Sequence, residues 1–111
     1  LIQCMHTIRI ERLKSIIVDN PNDTFALFAL AKELEKTGEL TEAAQLIEKL
    51  LVIDKMYVGA YYHLAKIYEQ LNEIKKALNI YEEGIIIAKE LNDLHSLSEL
   101  KNAKMNLEIE M

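Results

Sequence analysis

One cysteine, one proline, three glycines and no tryptophan stand among the 111 residues, and each scarcity excludes something. Cys4 alone cannot close an internal disulfide, and no pair of CxxC ligands is available for zinc, so a reducing, cytoplasmic setting is the expectation. With Pro21 the only proline and glycine rare, the punctuation that strands and hairpins need is missing, while Ala, Leu, Ile, Glu and Lys dominate. The chain is expected to be all-α. Positive charge is short as well: 13 Lys and Arg against 18 Asp and Glu leave a net charge of −5. A nucleic-acid partner is therefore not expected, because binding one requires clustered cations that displace counterions from phosphate. The apolar runs Leu50 to Ile53 and Ile85 to Ala88 are far too short to span a bilayer, and Leu1 to Met5 show no basic segment leading into an apolar core. Neither a membrane partner nor an export leader is expected.

The residues present are 50% apolar and 28% charged, the balance of one globular domain that needs neither metal nor disulfide to bury its core. Residues that could carry chemistry are scattered. His6, His63 and His95 fall on different predicted helices without the i, i+4 pairing of a helical zinc site, so no metal is expected. Ser15, Ser96 and Ser98 lack a glycine-rich elbow and an obvious base. Glu82 with Glu83, and Glu33 with Glu35, read as hydrated helix faces rather than as an acid–base pair. Gly38, Gly59 and Gly84 are isolated and form no phosphate-cradling loop. The reading is of a chain with no catalytic residue and no cofactor.

Self-similarity organises the sequence. A shift of about 34 residues places Ala26 on Ala60, Leu30 on Leu64, Ala31 on Ala65, Lys32 on Lys66 and Glu35 on Glu69. It continues through Glu39 and Glu73, Ala43 and Ala77, and Glu48 and Glu82. Each unit reads as two helices, with Leu27, Leu30, Ala31 and Leu34 at helical spacing before a break at Thr37-Gly38, and Ala43, Leu46, Ile47 and Leu50 after it. Gly38 suits a left-handed C-cap, Asn72 stands in its place in the second unit, and Thr41 offers a cap to the second helix. Gly84, inside a predicted helix, is read as a point of close approach by the following helix.

This repeat resembles the tetratricopeptide-repeat (TPR) family, whose units place small residues where paired helices cross; Ala31, Ala43, Ala65 and Ala77 match those positions. The layout, including Tyr57-Val58-Gly59 and His95 to Leu100, is similar to that of small stand-alone bacterial TPR proteins. The sequence departs from the family pattern at Leu27 and Tyr61, where Trp is usual, and at Lys55 and Lys89, where Pro is usual. The resemblance implies a right-handed superhelical stack of about six helices. The expected divisions are an N-terminal extension over 1–5, a half-repeat capping helix over 6–22, repeats over 24–57 and 58–91, and a capping helix over 92–111. Leu13, Ile16 and Ile17 are the expected apolar stripe of the first helix, and Leu94, Leu97, Leu100 and Leu107 that of the last.

The repeat also predicts a surface. At about 100° per residue, Phe28, Lys32 and Glu35 lie roughly 80 to 140° from Leu27, off the core stripe, and Tyr62, Lys66 and Glu69 repeat them. The resemblance implies that first helices line a concave groove, which makes Phe25, Phe28, Lys32, Lys36, Tyr62, His63 and Lys66 the candidate ligand residues. The family's carboxylate clamp of Lys, Asn and Arg is not reproduced, since Phe28 replaces a clamp lysine and Lys32 and His63 replace asparagines. The expected function is non-catalytic binding of a protein or peptide, with the lysines favouring an acidic or carboxylate-bearing segment. The alternative is a structural role in which the terminal helices make a homo-oligomer.

Overall fold

The structure, a computed structural model, describes the backbone of residues 2–111 and the side chains of residues 7–111. Six helices follow one another: α1 (Ile2–Asp19), α2 (Thr24–Lys36), α3 (Leu40–Ile53), α4 (Val58–Gln70), α5 (Ile74–Glu90) and α6 (Leu94–Glu110). No strand occurs among the described residues. The side chains of residues 1–6, Cys4 and His6 among them, lie outside the described residues, while the backbone of α1 runs as helix through the expected division after residue 5. Where the sequence suggested one domain, the contacts group the chain into two compact units, Leu1–Asp54 and Lys55–Met111. Such grouping follows from repeat architecture, in which a helix touches mainly its sequence neighbours.

Three of the interhelical turns share one design. After α2, α4 and α5 a single residue takes the left-handed conformation: Gly38 at φ 85°, Asn72 at 60° and Asn92 at 54°. The following amide then donates back across six residues, Glu39 to the Leu34 carbonyl, Glu73 to Tyr68 and Asp93 to Ala88. This pattern satisfies carbonyls that a helix end would otherwise leave open. Asn can replace Gly because its side chain tolerates this region. At helix starts, the Asp23 and Asp93 carboxylates accept from the Ala26 and Ser96 amides. Accepting the Ser96 amide and hydroxyl holds the Asp93 carboxyl below its ordinary range. The cap expected from Thr41 is not made. α3 begins at Leu40, with Glu39 in the cap position and no side-chain bond, so Thr41 lies within the first turn.

In the first unit α2 pairs with α3. Ala31 and Ala43 are fully buried, beside the buried Leu27, Leu30, Leu34, Ile47 and Leu50. The buried leucine and isoleucine side chains stabilise by about 1.5–3 kcal/mol each. The first helix sits more loosely than its apolar stripe suggested: Leu13 and Ile17 are half-buried, and Ile16 is 45% exposed. A polar contact also connects α1 to α2. Glu33, read from sequence as part of a hydrated face, is buried, and its Oε1 accepts from Arg9 Nη1 at 2.9 Å. Its counterpart one repeat later is Ile67, also buried.

The second unit packs α4 against α5 and α5 against α6. Ala65, Ala77 and Tyr81 are fully buried. Tyr61 is buried too, and its hydroxyl donates to the Lys55 carbonyl at 2.6 Å, tying the start of this unit to α4. A Cβ added at Gly84 would lie 2.7 Å from Tyr61 Cβ and 3.1 Å from a Leu100 methyl. The close approach is therefore primarily to the preceding helix α4 and secondarily to α6. Residues at the equivalent positions of the first repeat are Leu27 and Leu50, so a larger ring at Tyr61 is matched by the loss of a side chain at Gly84. α6 covers α5 with Leu100, Ala103 and Leu107, while Lys104 pairs with Glu82 of α5 at 3.4 Å. The expected stripe is corrected at its start: Leu97 is half-buried and Leu94 is 69% exposed, because Leu94 lies about 120° around the helix from Leu100.

Two predictions follow from these packings. Helix propensity alone would make Gly84→Ala stabilising by up to about 1 kcal/mol, but the clash with Tyr61 should make it destabilising by about 1–3 kcal/mol. Because leucine keeps both Tyr61 atoms that would be met, Cβ and Cγ, Tyr61→Leu should not recover the loss. Leu100→Ala removes the remaining contact and should recover part of it, and urea melts of the single and double variants measure that coupling. For the ion pair, Arg9→Ala removes the 2.9 Å partner of a buried carboxylate and should cost about 1–3 kcal/mol. Glu33→Ile removes the buried charge, leaves Arg9 in water, and should cost less in the same assay.

Candidate functional site

The first helices of the two repeats, α2 and α4, each present a face that the core does not use. On α2 the ring of Phe28 is half-buried, and the Lys32 ammonium lies 4.8 Å from its centroid. Phe25, one turn earlier, is 75% exposed. Lys36 is exposed but lies 3.8 Å from the Glu33 carboxylate, so it belongs partly to the ion pair that binds α1. Lys32 makes no ion pair among the described residues and keeps its charge toward solvent. The contact with Phe28 is worth about 0.5–1 kcal/mol at such a position and orients the lysine without neutralising it.

On α4 the same spacing gives a different surface. Lys66 lies 5.7 Å from the centroid of the half-buried Tyr62 ring, matching the arrangement on α2. Its ammonium is also 3.8 Å from Glu69 Oε2. Glu69 in turn accepts a hydrogen bond from the Tyr81 hydroxyl, which comes from α5 in the core of the same unit. Burial, followed by the adjacent Glu69 carboxylate, pushes the Tyr81 phenol far above its ordinary range, so it remains a donor. His63 is half-buried, with its ring edge-on to Tyr62 at 5.9 Å. Gly59 and Gln70 occupy the positions that Phe25 and Lys36 hold on α2.

Each of the seven candidate residues thus lies on one of these two helices: Phe25, Phe28, Lys32 and Lys36 on α2, and Tyr62, His63 and Lys66 on α4. Sequence reasoning missed Tyr81 and the buried role of Glu33. Both could have been noticed as breaks in the repeat, since Tyr81 aligns with Ile47 and Glu33 with Ile67. Among the described residues no group of three His, Cys, Asp or Glu comes together as a metal site, and no helix is long and apolar enough to cross a membrane.

The arrangement has known relatives. A sequence profile of the tetratricopeptide repeat matches residues 58–91, which span α4 and α5. The solution structure of a tetratricopeptide-repeat domain protein from Salinibacter ruber is 42% identical, with 80% of this chain and 90% of that one covered at a TM-score of 0.75. The chain belongs to the tetratricopeptide-repeat family. A crystal structure of the Salinibacter TPR domain, also 42% identical, covers 78% of this chain and 96% of its own at a TM-score of 0.73. The TPR2B domain of yeast Sti1, solved as a complex with pHsp70, shares the fold at 20% identity, with 92% of this chain and 82% of that domain covered and a TM-score of 0.85. No curated protein sequence matches.

Within this TPR scaffold the Tyr81 hydroxyl is a polar group buried in a repeat core. Tyr81→Phe should cost about 1.5–3 kcal/mol, because the hydrogen bond lost is to a carboxylate. Thermal melts with unchanged helical circular dichroism would check this, and a larger loss would mean that the ring also shifts.

Proposed function

We propose that this TPR chain is a non-catalytic, cytoplasmic binding module that takes an extended peptide or protein segment on its first-helix faces, with preference for acidic or carboxylate-bearing segments. The observation that carries the proposal is the recurrence of a lysine ammonium over an aromatic ring, Lys32 over Phe28 and Lys66 over Tyr62, on helix faces left out of the core. An aromatic ring supplies apolar contact area, and the ammonium held beside it supplies an oriented positive charge on an otherwise acidic chain. The partner seen with the Sti1 domain supports protein recognition by this fold, without specifying the ligand or the residues used.

A second reading is self-association through the ends of the chain. It is favoured by the outer side of α6, where Leu94, Met105 and Ile109 are exposed, and by exposed Ile8 on α1. The two readings separate in solution. A persistent dimer through a light-scattering dilution series would support association, whereas a monomer that binds peptide would support recognition.

A capped hexapeptide alternating leucine and glutamate should bind more tightly than its leucine–glutamine counterpart, and its affinity should fall with added salt. The double variant Lys32→Glu, Lys66→Glu should weaken it severalfold or more while leaving helicity intact, because both lysines lie off the core. Fluorescence anisotropy with unchanged circular dichroism is the measurement. Equal binding of both peptides would refute the acidic preference, and unchanged affinity in the double variant would move the site off these faces.

A further inference from the structure

The repeat makes Lys32 and Lys66 equivalent in position, but their surroundings are not equivalent. An exposed ion pair ordinarily contributes little, because two mobile side chains must be held together in water. Glu69 differs from that case. Its carboxylate is only 20% exposed and accepts a hydrogen bond from Tyr81, a side chain fixed in the core of the same unit. One partner of the Lys66 pair is therefore held in place, and the ammonium stands between the Tyr62 ring and a resident carboxylate. In the first repeat the position of Tyr81 is occupied by Ile47, which has no hydroxyl, and although Glu35 stands at the position of Glu69, it makes no ion pair with Lys32 among the described residues. Lys32 keeps its Phe28 contact and makes no ion pair among the described residues.

Resting on the binding role just proposed, we infer that the two first-helix faces differ in specificity. Lys32 on α2 takes the ligand's carboxylate, whereas Tyr81 and Glu69 reserve Lys66 and make the α4 face selective for ligand groups that are not anionic. An incoming carboxylate on α4 must compete with Glu69 for Lys66 and also approach the Glu69 charge. An amide or hydroxyl donor meets no such penalty, since Glu69 has further acceptor capacity and the Tyr62 ring offers apolar contact. Tyr81 is a positioning residue in this scheme, because it acts through Glu69 and need not touch the ligand. The neighbouring positions agree. Phe25 and Lys36 flank the pair on α2, whereas Gly59 and Gln70 stand at the equivalent positions of α4, so the positive character of the first face is not repeated on the second.

The test is a titration of the full chain with the capped leucine–glutamate hexapeptide, followed by the lysine side-chain and backbone amide resonances of α2 and α4. In the wild type, Lys32 and its neighbours should shift at a peptide concentration at least severalfold lower than Lys66 does. Glu69→Gln removes the competing charge while keeping a carbonyl acceptor for Tyr81, and should bring the Lys66 response severalfold closer to that of Lys32. Tyr81→Phe should act in the same direction by a smaller factor; no movement would remove Tyr81 from the scheme. Simultaneous response of both lysines in the wild type, or an unaltered Lys66 response in Glu69→Gln, would overturn this inference while leaving the binding role intact. Silence of both lysines at millimolar peptide, in every variant, would instead overturn the acidic-ligand reading on which the inference rests. Because the wild-type comparison needs no substitution, a variant that failed to fold would not shelter the inference.

Discussion

Two helices approach to about 8–10 Å only where the residues at their crossing are small enough for the ridges of one to enter the grooves of the other. Within the first unit Ala31 and Ala43 meet that requirement on α2 and α3; within the second, Ala65 and Ala77 do so on α4 and α5. All four are completely buried. Side chains this small leave room for the larger residues that close the core around them. A bulkier residue at any of the four would force the pair apart and loosen every contact farther along the same two helices.

With the crossing fixed, the two repeats fill the remaining core space differently. The first places Leu at 27 and 50 and Ile at 47, while the second places Tyr61, Gly84 and Tyr81 at the corresponding positions. Tyr61 brings a ring and a hydroxyl, and Gly84 gives up its side chain where the base of Tyr61, its Cβ and Cγ, lies against α5. Polar atoms introduced by these exchanges are satisfied inside the unit that contains them. The Tyr61 hydroxyl has the Lys55 carbonyl, the Tyr81 hydroxyl has Glu69, and the Glu33 carboxylate has Arg9. Polar groups in a low-dielectric interior are tolerable only with such partners.

The helices, the turns at Gly38 and Asn72, and the recurring small residues that the structure buries were legible in the sequence because each is a local or periodic signal. Gly38 and Asn72 mark left-handed turns by chemistry alone, and alanines recurring with the repeat mark buried positions. What was hidden depends on contacts between residues distant in sequence. Nothing near Glu33 shows that Arg9, on the previous helix, will cover it, so its neighbour Glu35 made it look like part of a wet surface. Leu94 looked like a core residue through its spacing from Leu97, Leu100 and Leu107, but the apolar stripe of α6 turns through Ala103, and the start of the helix projects outward. The candidate faces were legible as residue positions. Their electrostatic difference was not, because it depends on a hydroxyl supplied from the next helix.

That difference bears on what a repeat surface can recognise. If two faces carried the same lysine, ring and acid in the same state, a ligand would gain nothing from choosing one over the other, and its register on the protein would be poorly defined. Discrimination requires a penalty for the wrong arrangement as well as a reward for the right one. On α4 the penalty comes from the acid already beside Lys66, and its strength depends on how firmly that acid is held. A free glutamate could swing into solvent and yield the lysine to a ligand at small cost. A glutamate bonded to a buried tyrosine can leave only by abandoning that donor in the core, where an unpaired hydroxyl costs about 1–3 kcal/mol. One hydroxyl added to a position that is isoleucine in the sister repeat therefore changes the chemistry of a surface on the neighbouring helix, while the crossing alanines and the backbone they govern need not change.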